Sequence, residues 1–287
     1  MLFVSSFCRL GRAALATLLI AVASATPAQT IDSVFTIGVL PNVSARVILN
    51  NYLPVRAFFE RELGQQVDIA TAANFIAFSA ATVRGEYQMV VTAANVGRVN
   101  QLDAKWEPIA IFEPPISGLL VAGAANPNSR PDQLKGKALA LANPQSLVAL
   151  RGLQWLREQG LQADRDFRIL RAGNDDSLGT LIRTGEAPMA MMSMGEFRQI
   201  GEDTRKTLKI VTEFAKVPAF WLMTNPRLTV ARTRQLKKLI LQLPNTDEGK
   251  KFFSLSGVSN IRDLPVAEQK ALDDYVAQTR AGMGIIK

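Results

Sequence analysis

The sequence alternates short apolar segments with longer amphipathic ones, and this alternation constrains the fold more than any other feature. The segment FTIGVLP at 35–41 is apolar and ends in proline, which predicts a strand. The following segment, 44–63, has apolar residues at helical spacing between a capping residue, Ser44, and a stop signal, Gly64. Repetition of such strand–helix pairs predicts an α/β fold with mostly parallel sheets flanked by helices.

The same two signals predict the other elements of the chain. Further strands are predicted at 67–72, 87–92, 107–112, 118–124, 137–142, 167–171, 187–192, 208–214 and 218–223. Further helices are predicted at 75–84, 95–102, 146–159, 175–183, 196–200, 229–243, 246–255 and 266–280.

The first 28 residues have the pattern of a secretory signal peptide. Arg9 and Arg12 precede an uncharged apolar run at 13–22, and small residues follow, with cleavage expected after Ala25 or Ala28. The alternative is a retained membrane anchor, but a spanning helix needs about 20 apolar residues and this run is shorter. The pattern therefore predicts removal of residues 1–28 and export of a soluble protein.

The residue types that are missing exclude most catalytic chemistry. The chain has no histidine, and its single cysteine, Cys8, lies before the apolar run, where it is removed with the signal and is not a lipidation site. Ser-His-Asp triads, Cys-His dyads and most zinc sites are thereby excluded. No G-x-S-x-G, glycine-rich phosphate loop or dinucleotide fingerprint is present. We therefore expect no enzyme activity, no cofactor and no metal.

The charge distribution favours a small anion over a nucleic acid. The chain has 33 basic and 25 acidic residues, net +8, and loss of Arg9 and Arg12 with the signal leaves +6. The densest basic cluster, 232–238, fits the solvent face of a helix and has no aromatic residue within it. Nucleic-acid binding needs a basic groove with stacking aromatics. A mildly positive field instead suits an anionic small ligand.

Five segments together carry a specific resemblance. They are IGVLP at 37–41, FERELG at 59–64, ATVRGEYQMVVTAAN at 81–95, DQLKGKALALANPQS at 132–146 and LREQGLQADRDF at 156–167. In order and spacing they resemble the phosphonate-, phosphite- and phosphate-binding proteins of ABC importers, over nearly all of the chain after the signal. The resemblance implies a two-lobed periplasmic-binding-protein fold of type II, with the ligand between the lobes.

The resemblance also implies a domain division and a role. Lobe 1 is expected at 29–115 and 216–287, lobe 2 at 116–215, and the hinge near 113–116 and 214–217. The implied role is capture of a small anion in the periplasm, phosphonate- or phosphate-like or organic, for the permease of an ABC importer, by a monomer. A ligand sensor of the same fold that signals to a membrane receptor is the alternative, and an enzyme is the least favoured class.

Three departures from the family pattern bear on the ligand. The anion loop, Asn-Pro-Gln-Ser-Leu at 143–147, has one hydroxyl, that of Ser146. Asn42 replaces the usual tyrosine after the first strand, and Ala93 with Ala94 replaces a Gly-Pro pair. Having fewer hydroxyl groups than the family pattern favours a partly apolar or organic anion.

Candidate ligand residues are those at strand ends and in the anion loop, and each also has a structural interpretation. Ser146 and Asn95 begin helices, so both fit either an anion site or a simple cap. Asn174 and Asp175 follow a predicted strand and fit either ligand contact or turn chemistry. Aromatic residues fit either a cleft wall or the core. The full set of predicted ligand contacts is Asn42, Phe75, Thr92, Ala93, Asn95, Gln145, Ser146, Asn174, Asp175 and Phe220.

Overall fold

The computed structural model describes residues 34–126, 129–172 and 175–284, with only the backbone of 175 and 176. Its strands are β1 (Phe35–Val39), β2 (Val67–Ala70), β3 (Met89–Thr92), β4 (Glu107–Glu113), β5 (Ile116–Gly123), β6 (Ala138–Leu141), β7 (Arg168–Arg171), β8 (Met189–Ser193), β9 (Leu208–Val217), β10 (Trp221–Thr224) and β11 (Asn260–Arg262). Its helices are α1 (Ala45–Leu63), α2 (Phe75–Arg84), α3 (Ala94–Ala104), α4 (Leu147–Glu158), α5 (Asp175–Arg183), α6 (Met194–Gln199), α7 (Glu202–Arg205), α8 (Val230–Gln242), α9 (Asp247–Ser256), α10 (Val266–Lys270) and α11 (Asp273–Gly282).

The strands form two sheets, one in each lobe. The first sheet has the order β11-β4-β10-β3-β1-β2 and the second has the order β7-β6-β8-β5-β9. Strands β1, β2 and β3 are parallel, as are β6, β7 and β8, whereas β10, β11, β5 and β9 pair antiparallel with their neighbours. The α/β two-lobed architecture is confirmed, but both sheets are mixed instead of mostly parallel.

The antiparallel pairs have a topological cause. The parallel strands all point towards the other lobe, so a strand that enters a lobe from that side must run against them. Strands β5 and β10 enter in this way, and β9 leads back out along β5, with Val217 opposite Ile116. The second crossing therefore lies at 218–220, just after the predicted hinge at 214–217.

Local sequence signals explain most helix boundaries. The Ser44 hydroxyl accepts a hydrogen bond from the Val47 amide at 3.4 Å, and Gly64 ends α1 in the left-handed conformation at φ 65°. Helix α2 runs from Phe75 to Arg84, as predicted, between its Asn74 cap and the left-handed Gly85. The apolar spacing and the caps thus place these helices correctly.

Helices bury both faces of each sheet. Neighbouring residues of β5 belong to different core clusters. Leu119 lies in one cluster with residues of α5, and Leu120 lies in another with residues of α4. All four residues of β3, β6 and β10 are buried, as expected for strands between two helix layers. Helix α4 packs closely on β8 because Gly152 has no Cβ, which would lie 2.0 Å from the Met191 sulfur.

Some predicted elements differ from the structure. The last predicted helix, 266–280, is two helices, α10 and α11, and α11 extends to Gly282. Strand β11 and the one-turn helix α7 were not predicted, because each is too short to show a periodic pattern. In the part of the chain described, no helix is both long and apolar enough to cross a bilayer. The predicted signal peptide lies outside the described residues.

Candidate functional site

A cleft of about 1020 Å³ lies between the two lobes. The loops that follow β1, β2, β3, β6 and β8 all reach it, so it lies at the carboxyl ends of the parallel strands of both sheets. Open α/β sheets bind ligands at this edge. Besides Arg171, the lining comprises residues 41–45, 72–76, 93–94, 112–117, 142–148, 193–196, 198–199, 217–220 and 254–258.

Among the described residues, four helices of two turns or more begin at the cleft. The side chains of Ser44, Asn74 and Ser146 cap α1, α2 and α4, each by accepting from the amide of the third helical residue. At α3 the capping position is Ala93, whose methyl side chain cannot accept a hydrogen bond. The first amides of these helices have no partner among the described residues, and such amides favour a negative charge.

Two arginines of lobe 2 add positive charge to the cleft. Arg171 ends β7 and Arg198 lies in α6, and both are exposed cleft-lining residues. Neither forms an ion pair with any described residue. The Arg198 guanidinium extends to Gly257 of lobe 1, where it lies 3.5 Å from the position a Cβ would occupy. An anion in the cleft therefore has access to two guanidinium groups that no described carboxylate pairs with.

The carboxylates that line the cleft are already engaged. Glu113 accepts hydrogen bonds from Arg262 at 3.0 Å and Asn260 at 2.9 Å. Glu196 is half-buried and accepts from the Ser193 amide at 2.6 Å, while the Ser193 hydroxyl accepts from its amide. Burial raises the pKa of Glu196, although these Ser193 hydrogen bonds oppose the rise. The electrostatic balance of the described lining is therefore positive.

The structure brings six of the ten predicted ligand residues to the cleft: Asn42, Phe75, Ala93, Gln145, Ser146 and Phe220. Thr92 is fully buried opposite Trp221 in the first sheet and does not line the cleft. Asn174 lies outside the described residues, and Asp175 begins α5 with only its backbone described. Ligand contact by any of these residues stays a prediction.

Ser146 combines a capping role with a position on the cleft wall. Its hydroxyl oxygen accepts from the Ala149 amide at 3.1 Å. A hydroxyl has one hydrogen to donate in addition to its lone pairs, so capping leaves that donor available. The loop before it is ordered by Asn143, whose side-chain oxygen accepts from the Gln145 amide at 3.0 Å.

Asn95 joins the lobes. Its side chain is 1% exposed, and its amide nitrogen donates to the Gln145 carbonyl at 3.2 Å and to the Thr279 hydroxyl at 3.0 Å. These bonds connect α3 with the anion loop of lobe 2 and with α11. Ligand contact by Asn95 stays a prediction. In the structure its side chain forms hydrogen bonds that link the two lobes.

Sequence reasoning missed Arg171 and Arg198. Arg171 ends a predicted strand, and the same strand-end rule that selected Ala93 applies to it. Arg198 lies within a predicted helix, and nothing in the sequence shows that this helix borders the cleft.

Comparison with known proteins gives a family and a fold. A family model described as ABC transporter, phosphonate, periplasmic substrate-binding protein matches residues 37–265. No curated protein sequence matches significantly.

Three of the similar solved structures are solute-binding proteins. A phosphonate-binding protein from Prochlorococcus marinus, in complex with methylphosphonate, has a TM-score of 0.76 and 14% identity, covering 88% of this chain and 99% of that one. The binding component of an ABC phosphonate transporter from Pseudomonas aeruginosa has a TM-score of 0.72 and 14% identity, covering 88% and 98%. The alkanesulfonate-binding protein from Xanthomonas axonopodis pv. citri, bound to MOPS, has a TM-score of 0.63 and 13% identity, covering 88% and 94%. At these identities they establish the fold.

Proposed function

Since the chain belongs to the periplasmic substrate-binding proteins of ABC phosphonate transporters, we propose that it captures a small organic oxyanion between its lobes. It is a solute-binding protein of an ABC importer, and the family is one of transport proteins, not enzymes. The ligand is handed to the membrane permease of that importer.

The observation that supports an anionic ligand is the positive character of the described cleft lining. Four helix amino termini open onto it, and Arg171 and Arg198 line it without an ion-pair partner among the described residues. Both groups favour a negative charge, and guanidinium groups bind oxyanions in a bidentate manner. The described carboxylates of the lining are engaged elsewhere and do not attract a cation.

Apolar residues of the cleft lining support the proposal that the ligand has an organic part. Phe75, Ala93 and Phe220 present apolar surface beside the anion-binding groups. Two of the similar structures hold methylphosphonate and MOPS, which are both organic oxyanions. A phosphonate or sulfonate with a carbon substituent fits both properties of this cleft.

The mode of action and the state of the protein follow from this proposal. Lobe 1 is expected to comprise 29–115 and 216–287 and lobe 2 116–215, with the second boundary moved to 218–220 because β9 pairs in the lobe 2 sheet as far as Val217. Closure about the two connections between the sheets encloses the ligand. The protein works as a monomer, without catalysis, after cleavage of its signal peptide.

Calorimetric titration tests the anionic ligand. Methylphosphonate, methanesulfonate and inorganic phosphate are titrated into wild type, Arg171→Gln and Arg198→Gln. Loss of a hydrogen bond to a charged group is expected to weaken binding about 10- to 100-fold in each variant. Arg234→Gln is the matched control, because Arg234 is exposed on α8 and away from the cleft. If none of these oxyanions binds, or if the cleft variants bind as tightly as the control, the proposal is wrong.

A further inference from the structure

A side pocket of about 100 Å³ opens from the cleft beneath α1. Val47, Ile48 and Tyr52 of α1 line it, but they do not line the main cleft. Phe220 and Gly195 line both spaces, so the side pocket is continuous with the cleft. A single molecule can therefore occupy both at once.

The walls of the side pocket are mostly apolar. Its described lining has no charged side chain and is mainly aliphatic and aromatic, with Asn42, Asn51, Gln199 and Ser256 as its polar members. Moving an ammonium or carboxylate group from water into such surroundings is costly unless it is paired. The side pocket therefore selects against a charged substituent and favours an uncharged one.

Tyr52 supplies an unused polar group in this pocket. Tyr52 is 8% exposed, and its hydroxyl, which is not fully buried, has no hydrogen-bond partner among the described residues. Its ring packs edge-on against Phe252 at 5.0 Å between centroids, which fixes its position. Burial raises the pKa of Tyr52, so the hydroxyl stays a neutral donor.

We propose that the side pocket is a specificity subsite for the substituent of the bound oxyanion. It takes a short, uncharged chain while the oxyanion head remains in the main cleft. A space of about 100 Å³ holds roughly three water-sized groups, which sets the chain length at about three non-hydrogen atoms. This inference rests on the proposed function. It predicts that propyl-type phosphonates or sulfonates bind more tightly than inorganic phosphate and more tightly than aminoalkyl phosphonates.

The subsite predicts a length optimum. Each buried methylene is expected to strengthen binding about fourfold, so propylphosphonate binds about 15-fold more tightly than methylphosphonate. Hexylphosphonate gains nothing further, because its last carbons have no room. 3-Aminopropylphosphonate loses the gain, because its ammonium group finds no carboxylate in the described lining of the side pocket to compensate its charge.

The experiment is a calorimetric titration of the whole mature protein with inorganic phosphate and these four phosphonates. The test variant is Val47→Phe, which fills the side pocket from a position that does not itself line the main cleft. The matched control is Val83→Phe, the same substitution at a position on α2 that is 53% exposed and lines neither space. Val47→Phe is expected to reduce the propyl-to-methyl ratio to near one and to leave methylphosphonate affinity within about twofold.

The outcomes separate this inference from the proposed function. If no phosphonate and no phosphate binds, and methanesulfonate does not bind either, the proposed function fails. If methyl-, propyl- and hexylphosphonate bind wild type equally, the anionic function stands and the subsite is wrong. A continued gain from propyl to hexyl contradicts the size of the pocket. If Val47→Phe does not fold, Asn51→Phe fills the same pocket from the next turn of α1, and the wild-type length series decides by itself.

Discussion

Replacement of Ser146 by alanine removes two interactions that are measured separately. One is the cap of α4, in which the hydroxyl accepts from the Ala149 amide at 3.1 Å. Loss of such a cap costs about 1 kcal/mol, which for a protein of this size lowers Tm by about 2–4 °C. The other is the hydrogen bond that the hydroxyl is predicted to donate to a bound anion. Its loss costs about 1–2 kcal/mol, or roughly a 5- to 30-fold rise in Kd.

The matched control for this variant is Thr229→Ala. Thr229 caps α8 by accepting from the Arg232 amide at 3.2 Å, and it does not line the cleft. Both variants are therefore expected to show a similar fall in Tm, while only Ser146→Ala loses affinity. The assays are a thermal melt and a calorimetric titration with methylphosphonate. Unchanged affinity in a folded Ser146→Ala protein would show that Ser146 is a cap alone.

Three further predictions concern packing, pH and processing. Gly152→Ala places a Cβ 2.0 Å from the Met191 sulfur, and the overpacking is expected to lower stability by about 1–3 kcal/mol in denaturant titrations; an unchanged midpoint would contradict the close helix–sheet contact. Burial raises the pKa of Glu196, so wild type loses stability as pH rises from the unfolded-state pKa of 4.5 towards the raised folded pKa. Glu196→Gln, which keeps the capping geometry, is therefore expected to melt above wild type at about pH 7.5 and not at about pH 4, and an equal difference at both would refute this cause. Amino-terminal sequencing of the exported protein is expected to show cleavage after Ala25 or Ala28, and retention of the first residues would refute the signal-peptide interpretation.

Local signals in the sequence were sufficient for most of the fold. Helix α2 runs over 75–84 as predicted, because its cap, its apolar spacing and Gly85 all act within the helix or next to it. Strand β11 was missed because its three residues gain their structure from pairing with β4, which lies far away in sequence. The mixed character of the sheets was also missed, because strand direction depends on how the chain crosses between the lobes.

The sequence predicted site residues only where a strand end or a family motif marks them. The rule that ligands bind at carboxyl ends of parallel strands led to Ala93, and the resemblance to the family's anion loop led to Gln145 and Ser146; all three line the cleft. The same rule selected Asn95, whose side chain is buried by Thr279 of a helix almost two hundred residues later. The approach of Arg198 to the cleft depends on how the two lobes are arranged, and no local pattern in the sequence contains that arrangement.

Native mass spectrometry of the protein purified from the periplasm tests the central claim most directly. Wild type is compared with the double variant Arg171→Gln/Arg198→Gln, with Arg234→Gln as control. The predicted result is a small acidic organic molecule, a phosphonate or sulfonate, bound one to one in wild type and control and lost from the double variant. A neutral or cationic molecule, or an acidic one that the double variant retains as fully as wild type, would contradict anion capture in this cleft.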